Sequence, residues 1–240
     1  MDIENTENKE TAILYDADAS QRFAFDVIER GEKFETAHRF HPLSDEKYLD
    51  YVKAINARAD EDDSESNESE VLANLWRELV QEVENLEVEE GRDFRDAVDA
   101  ESEIVPSIKN FLVVAVVETE KIGTGKRKGT AAVSTETVTT EAYFNGAAVL
   151  QTHVLKSKKS NDEFSKKHAR IEKNQWKTEI TKGLRRQPKV EFHPQDAAKA
   201  ALYDEMLERS EGFKDGKTPI RFKSVVVDYV FAAVALDPKK

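Results

Sequence analysis

The same order of turn, helical and apolar signals occurs twice along the chain, and this repetition constrains the fold more than any single motif. In each half a hairpin-like segment precedes two helical segments and a strongly apolar run. His38 and His153 lie late in the two hairpin segments, 115 residues apart, and Pro106 and Pro219 open the two apolar runs, 113 residues apart. A repeat of about 115 residues predicts an α+β fold of two related hairpin-plus-helices units in tandem. The alternative is an α+β protein in which this order recurs by chance.

Two segments have the residue pattern of β-hairpins. Between Phe23 and Phe40, apolar and polar residues alternate on both sides of a turn near Gly31, as in a half-buried strand pair. Between Thr137 and Leu155, the turn signal is Asn145-Gly146, a pair that suits the tight turn of a two-residue hairpin.

Helical periodicity predicts most of the remaining elements. Ser44 is a suitable N-cap for the first helix. The predicted helices are Asp45–Ala57, Val71–Leu86, Phe164–Trp176 and Asp196–Arg209. The apolar runs Ile104–Thr119 and Val225–Leu236 are ambiguous, because a proline in the first turn favours a helix whereas β-branched residues favour a strand. We expect the first of them to be helical.

Composition then divides the chain into four parts. A polar tail covers residues 1–10 and an acidic unit covers 11–120, within which 59–70 form a charged, Ser-rich linker that we expect to be mobile. A basic, Gly-containing loop covers 121–136, and a basic unit covers 137–240.

The net charge of −12 is unevenly distributed between the two halves. Residues 1–120 contain 12 Lys and Arg against 33 Asp and Glu, a net charge of −21, whereas residues 121–240 contain 24 against 15, a net charge of +9. Two solvated faces would account for this pattern. Opposite charges on one chain also favour contact with a charged partner or between copies arranged head to tail.

Common catalytic signatures are not found in the sequence. The Gly123–Gly129 segment fails the Walker A pattern, because Glu120 replaces the first glycine and Arg127 replaces the final Ser or Thr. His38 and His41 span a strand end and a Pro-containing turn, which is not a helical metal-ligand spacing. The chain has no cysteine. We therefore expect no enzymatic activity, no metal, no cofactor and no small-molecule ligand, with a divergent metal nuclease as the remaining enzymatic alternative.

The densest basic stretch is the predicted binding surface. From Lys156 to Lys189 it contains 12 Lys and Arg against 4 Asp and Glu. The candidate partner-binding residues are Lys156, Lys158, Lys159, Lys166, Lys167 and Arg170. The acidic first half would repel a nucleic-acid backbone, so we expect a protein partner or a second copy of the chain. No apolar run reaches the roughly 18 residues that suggest a membrane span.

One stretch resembles a known family. Residues Phe34–Leu49, FETAHRFHPLSDEKYL, run from a strand through Pro-Leu-Ser-Asp-Glu into a helix, and the hairpin segment Thr139–Gly146 has a similar character. This pattern is similar to tail-assembly chaperones and small virion proteins of tailed bacteriophages. The resemblance covers about a third of the chain and implies a non-enzymatic assembly role in the host cytoplasm or the virion. The alternative is an acidic inhibitor that blocks the nucleic-acid-binding site of a basic host protein.

Overall fold

The fold consists of two antiparallel sheets, each associated with helices. The computed structural model describes residues 13–29, 32–58, 64–84, 90, 93–97, 104–122, 135–156, 163–173 and 195–235. One sheet has three strands and the other has four. The α+β class expected from the sequence is confirmed.

The first unit contains the three-stranded sheet. Its elements are β1 (Gln21–Glu29), β2 (Glu32–Phe40), α1 (Asp45–Arg58), α2 (Ser64–Leu79), β3 (Val80–Glu84), α3 (Phe94–Ala97) and α4 (Ile104–Leu112). The strand order is β1-β2-β3. The Ser44 hydroxyl accepts a hydrogen bond from the Lys47 N–H at 3.2 Å, so the predicted N-cap of α1 is present.

The second unit contains the four-stranded sheet. Its elements are β4 (Val114–Ile122), β5 (Thr135–Phe144), β6 (Ala147–Lys156), α5 (163–173), α6 (Gln195–Met206), β7 (Leu207–Glu211), a short 3₁₀ turn (Lys214–Gly216) and α7 (Ile220–Ala235). The strand order is β4-β5-β6-β7. Asn145 and Gly146 join β5 to β6 with φ values of 48° and 85°, as the tight hairpin turn requires.

The two hairpins match position by position. Phe23 pairs with His38 in the first hairpin, and the residues 115 positions later, Val138 and His153, pair in the second. The second strand of each hairpin also pairs with a further strand, β3 in one unit and β7 in the other, and this pairing contains a β-bulge at the same place. The register shifts after Arg39 in the first unit and after Val154, again 115 positions later, in the second. The two units are therefore related in register and irregularity, as well as in the order of their elements.

Each unit packs its own hydrophobic core between sheet and helices. The first core includes Phe23, Phe40, Leu72, Trp76, Ile108 and Phe111. The second unit has two clusters, one of which includes Val138, Leu155, Phe164, Leu202, Tyr203 and Val226. The other joins Tyr15 to Phe144, Phe213 and Phe222.

Two segments expected in the first unit pack with the second. β4 pairs along its length with β5. Tyr15 is 2% exposed and forms a parallel bridge with Phe213, and its N–H donates to the Gly212 carbonyl at 2.8 Å. Tyr15 and residues 114–120 of β4 lie within residues 11–120, assigned above to the acidic unit.

The expected linker at 59–70 is partly helical. α2 begins at Ser64, so residues 64–70 form its first turns, whereas 59–63 lie outside the described residues. Acidic side chains suit this position because a helix N-terminus carries partial positive charge. Glu68 also forms an ion pair with Lys109 of α4 at 3.2 Å.

Three helices predicted from periodicity end earlier than expected. The helix expected over Val71–Leu86 ends at Leu79 and continues as β3. The one expected over Asp196–Arg209 ends at Met206 and continues as β7. The one expected over Ile104–Thr119 ends at Leu112, and β4 follows. In each case a strand was available to pair with the following residues, so sheet hydrogen bonding replaced further helical turns.

Several expectations fall outside the described residues. They concern the tail at 1–10, the central part of the 121–136 loop and the end of the helix predicted over Phe164–Trp176. Residues 121–122 belong to β4 and 135–136 to β5.

Candidate functional site

The described part of the basic stretch lies on one helix and the end of one strand. α5 directs Phe164, which is 6% exposed, into the second core. Lys166, Arg170 and Lys173 are exposed and follow one another at spacings of four and three residues, which places them on one side of the helix. No ion pair or hydrogen bond joins these three side chains to another described residue. They form what we call the α5 basic stripe.

Two of the six predicted binding residues contact α6 instead of forming part of this stripe. Lys167 forms an ion pair with the Glu205 carboxylate, and the Lys156 ammonium donates to the Glu205 backbone carbonyl at 3.3 Å. Lys158 and Lys159 lie outside the described residues. Of the six residues, Lys166 and Arg170 are therefore the described ones that form neither an ion pair nor a hydrogen bond with another described residue.

The role of Glu205 could not be found from the sequence. It lies 38 residues after Lys167, so neither helical nor strand spacing relates the two positions. Their contact arises only when α5 and α6 pack together.

A histidine hydrogen-bonded to an aromatic side chain occupies the centre of each unit. In the first unit the Trp76 indole N–H donates to His38 Nδ1 at 3.1 Å. In the second, the Tyr203 hydroxyl lies 2.6 Å from His153 Nδ1. The two histidines are 4% and 0% exposed. Burial lowers the pKa of each to about 4, so both imidazoles are neutral at physiological pH.

The second of these sites extends into a polar chain. Thr140 Oγ1 lies 2.9 Å from His153 Nε2 and 3.0 Å from the Gln151 side-chain oxygen. The amide nitrogen of Gln151 donates to the Val149 carbonyl at 2.8 Å. A proton on Nε2 gives every group in this chain a partner, with Tyr203 donating to Nδ1. Because these groups are buried and each has a hydrogen-bond partner, they stabilise the core.

One cluster has the residue types of a metal site. His168, Glu172 and Asp228 place their ligand atoms within 4.8 Å of one another. The Lys199 ammonium, however, lies 2.6 Å from the Asp228 carboxylate and 4.0 Å from that of Glu172. This ammonium already supplies the positive charge that the carboxylates attract. The His168 ring stacks on Phe231 at 4.3 Å between centroids.

His41, the other histidine considered above, lies at the surface. Its Nδ1 is 2.6 Å from the side-chain nitrogen of Gln81. His38 and His41 therefore belong to different environments, one buried and one exposed, and do not share a site.

No protein-family model, curated protein or solved structure matches this chain. Among the described helices, none combines the length and apolar character needed to cross a membrane.

Proposed function

We propose that this chain is a non-enzymatic structural or assembly protein of a tailed bacteriophage, either a tail-assembly chaperone or a virion subunit. It acts by binding another protein or a second copy of itself. The observation that carries the binding role is the α5 basic stripe, whose exposed charges have no partner among the described residues. The phage assignment is supported by the resemblance of residues Phe34–Leu49.

The partner surface that fits the stripe is acidic. Residues 1–120 carry a net charge of −21, so the first unit of a neighbouring copy has the complementary sign. A contact between the basic stripe of one copy and the acidic unit of the next is heterologous and leads to a ring or a filament. Each exposed ion pair contributes only about 0.2–1 kcal/mol, but several together set orientation and association rate.

Sedimentation across salt concentrations tests this contact. We expect the wild-type protein to form assemblies at low salt that dissociate as salt rises, because the Debye length falls from about 10 Å at 0.1 M to about 3 Å at 1 M. The variant Lys166→Glu/Arg170→Glu should remain monomeric at every salt concentration, with an unchanged circular dichroism spectrum.

A charge-matched variant provides the control. Arg209→Glu/Lys217→Glu changes the net charge by the same amount at two exposed positions away from α5, and should assemble like the wild type. Normal assembly of the α5 variant, or wild-type assembly that is indifferent to salt, would contradict the proposal.

The charge of the first half favours a second candidate, the acidic inhibitor. In that case the purified chain should be monomeric at low salt and form an equimolar complex with a basic nucleic-acid-binding protein. Reversal of exposed acidic residues on α1, such as Glu46→Lys, should weaken that complex, whereas reversal of the α5 basic stripe should not.

A further inference from the structure

Among the described residues, the outer edge of β1 in the first unit has no neighbouring strand, whereas the equivalent edge in the second unit is paired. β1 and β5 are equivalent strands, because the two hairpins share one register at an offset of 115 residues. β5 lies inside its sheet, with β4 on its far side, whereas β1 is the edge strand of its sheet. In the second unit, β4 therefore occupies the edge that is equivalent to the outer edge of β1.

The outward backbone groups of β1 can be identified from one hydrogen bond. The Arg22 N–H donates at 3.0 Å to the side-chain oxygen of Asn145, in the turn of the other hairpin, so Arg22 faces away from β2. Alternation places the N–H and C=O groups of Ala24, Asp26 and Ile28 on the same edge. Their equivalents beside β4 include Thr139 and Glu141, which pair with Glu118 and Ala115.

A cleft of about 370 Å³ opens beside this edge. β1 contributes Phe23 and Ala24, α4 contributes Ser107 and Asn110, and β5 contributes Glu141 and Tyr143. The cleft is bordered by exposed apolar surface, since Tyr143 is 41% exposed. The Glu141 carboxylate forms no ion pair with another described residue.

We infer that the outer edge of β1 and the adjoining cleft bind an extended segment of a partner protein, which adds as an antiparallel strand in the way that β4 adds to β5. Main-chain hydrogen bonds to Ala24, Asp26 and Ile28 hold the segment. Its chemistry follows from strand pairing and from the cleft: β-branched residues, which suit an extended strand, and a Lys or Arg beside Glu141. This site is separate from the α5 basic stripe and does not depend on the proposed function.

A synthetic peptide based on β4 tests the inference. The probe is the capped nonapeptide of residues 114–122 with Glu118→Lys and Glu120→Lys, and the unaltered nonapeptide is its comparison. Titration into ¹⁵N-labelled protein should give saturable binding, with new hydrogen-exchange protection at the amides of Ala24, Asp26 and Ile28. The basic peptide should bind about two- to five-fold more tightly at low salt, the factor expected for one exposed ion pair.

Variants of the edge and cleft make the test specific. Ala24→Pro removes an outward N–H, and Ala148→Trp fills the cleft from an exposed position; each should weaken binding at least ten-fold. Ala198→Trp, at an exposed alanine of α6, is the matched control and should bind normally. Glu141→Gln should remove the preference for the basic peptide, because it weakens binding of that peptide and relieves the repulsion of Glu118 and Glu120 in the unaltered one.

Three results would overturn the inference. The first is absence of peptide binding at millimolar concentration, and the second is binding that survives both Ala24→Pro and Ala148→Trp. The third is a dimer of the protein alone that already protects the three amides and that the peptide dissociates, because the edge would then be filled by a second copy.

Discussion

At the scale of single residues, the two buried histidines are the most informative feature. Each is hydrogen-bonded at Nδ1 to an aromatic side chain, Trp76 in the helix that leads into β3 and Tyr203 in the helix that leads into β7. A charged imidazole at position 38 could not accept the Trp76 N–H at Nδ1, because the indole nitrogen only donates. The first site therefore requires a neutral histidine, and burial favours the neutral form at both sites by lowering each pKa to about 4.

This requirement predicts a loss of stability in mild acid. The unfolded chain binds a proton at each histidine with a pKa near 6.5, whereas His38 and His153 do so in the fold only near 4. The stabilising contribution is therefore complete above pH 6.5 and is lost as the pH falls toward 4. Between pH 7 and pH 5 the free energy of unfolding should fall by about 2 kcal/mol for each histidine.

Urea unfolding at a series of pH values measures this effect. The variant His153→Gln removes one titrating group, so it should be less stable at pH 7 but lose only about half as much free energy between pH 7 and pH 5. An equally steep pH dependence in the variant would show that other groups are responsible.

At the scale of the elements, α2 starts earlier than its composition suggests. Its first turns contain the Ser- and Glu-rich residues 64–70. The feature of their sequence that favours a helix is the placement of acidic residues at the helix N-terminus. Tertiary contacts provide the rest, including the ion pair between Glu68 and Lys109.

A proline substitution distinguishes a helix from a linker at this place. Glu70→Pro removes an intrahelical hydrogen bond and introduces a clash with the preceding turn, so it should lower the free energy of unfolding by about 3 kcal/mol. Glu70→Ala, at the same exposed position, removes only side-chain contacts, so it should change the free energy of unfolding by no more than about 1 kcal/mol, the upper range of an exposed ion pair. Thermal and urea unfolding of the two variants provide the measurement, and equal stability would mean that residues 64–70 do not form a stable helix.

The elements also show how far the sequence could predict this fold. Both hairpins and α1 have local signals, such as the alternation around Asn145-Gly146 and the Ser44 cap. β3 and β7 have none, because each follows a helix without a turn residue and exists only through pairing with β2 or β6. The α5 basic stripe was visible in the composition, whereas the cleft beside β1 depends on how Phe23 and Tyr143 meet across the two units.

At the scale of the whole molecule, two contacts at helix ends join the units. The Asp45 carboxylate at the start of α1 accepts the Ile220 N–H at the start of α7, at 2.8 Å. The Arg221 guanidinium of α7 donates to the Phe111 carbonyl in the last turn of α4, at 2.7 Å. Each contact places a charge at the helix end whose partial charge it complements. The two units therefore bind each other through polar contacts as well as through Tyr15.

Of these two contacts, the one made by Arg221 has the larger desolvation cost. It is 5% exposed, and burial lowers the pKa of its guanidinium to about 10, which still leaves it charged at neutral pH. The rings of Tyr15, Phe111 and Phe222 lie 5.3–5.4 Å from the guanidinium carbon. These cation–π contacts partly replace the lost hydration. Because the Arg221 guanidinium stays charged although it is buried, we infer that it has a structural role.

Substitution of Arg221 tests this structural role. Arg221→Met keeps much of the side-chain volume but removes the bond to Phe111 and the contacts with the rings, so we expect the free energy of unfolding to fall by about 2 kcal/mol, the cost of losing a charged hydrogen bond in a buried site. Arg221→Lys should recover little of this, because one ammonium cannot reproduce the planar fork of the guanidinium. Because Arg221 joins the two units, the urea transition of Arg221→Met should also broaden or separate into two steps. The amide signals of β1 and β2 follow the first unit, and those of β5 and β6 follow the second. A variant that unfolds in one transition of wild-type midpoint would show that the apolar packing around Tyr15 is sufficient to couple the units, and that the buried charge contributes nothing to their association.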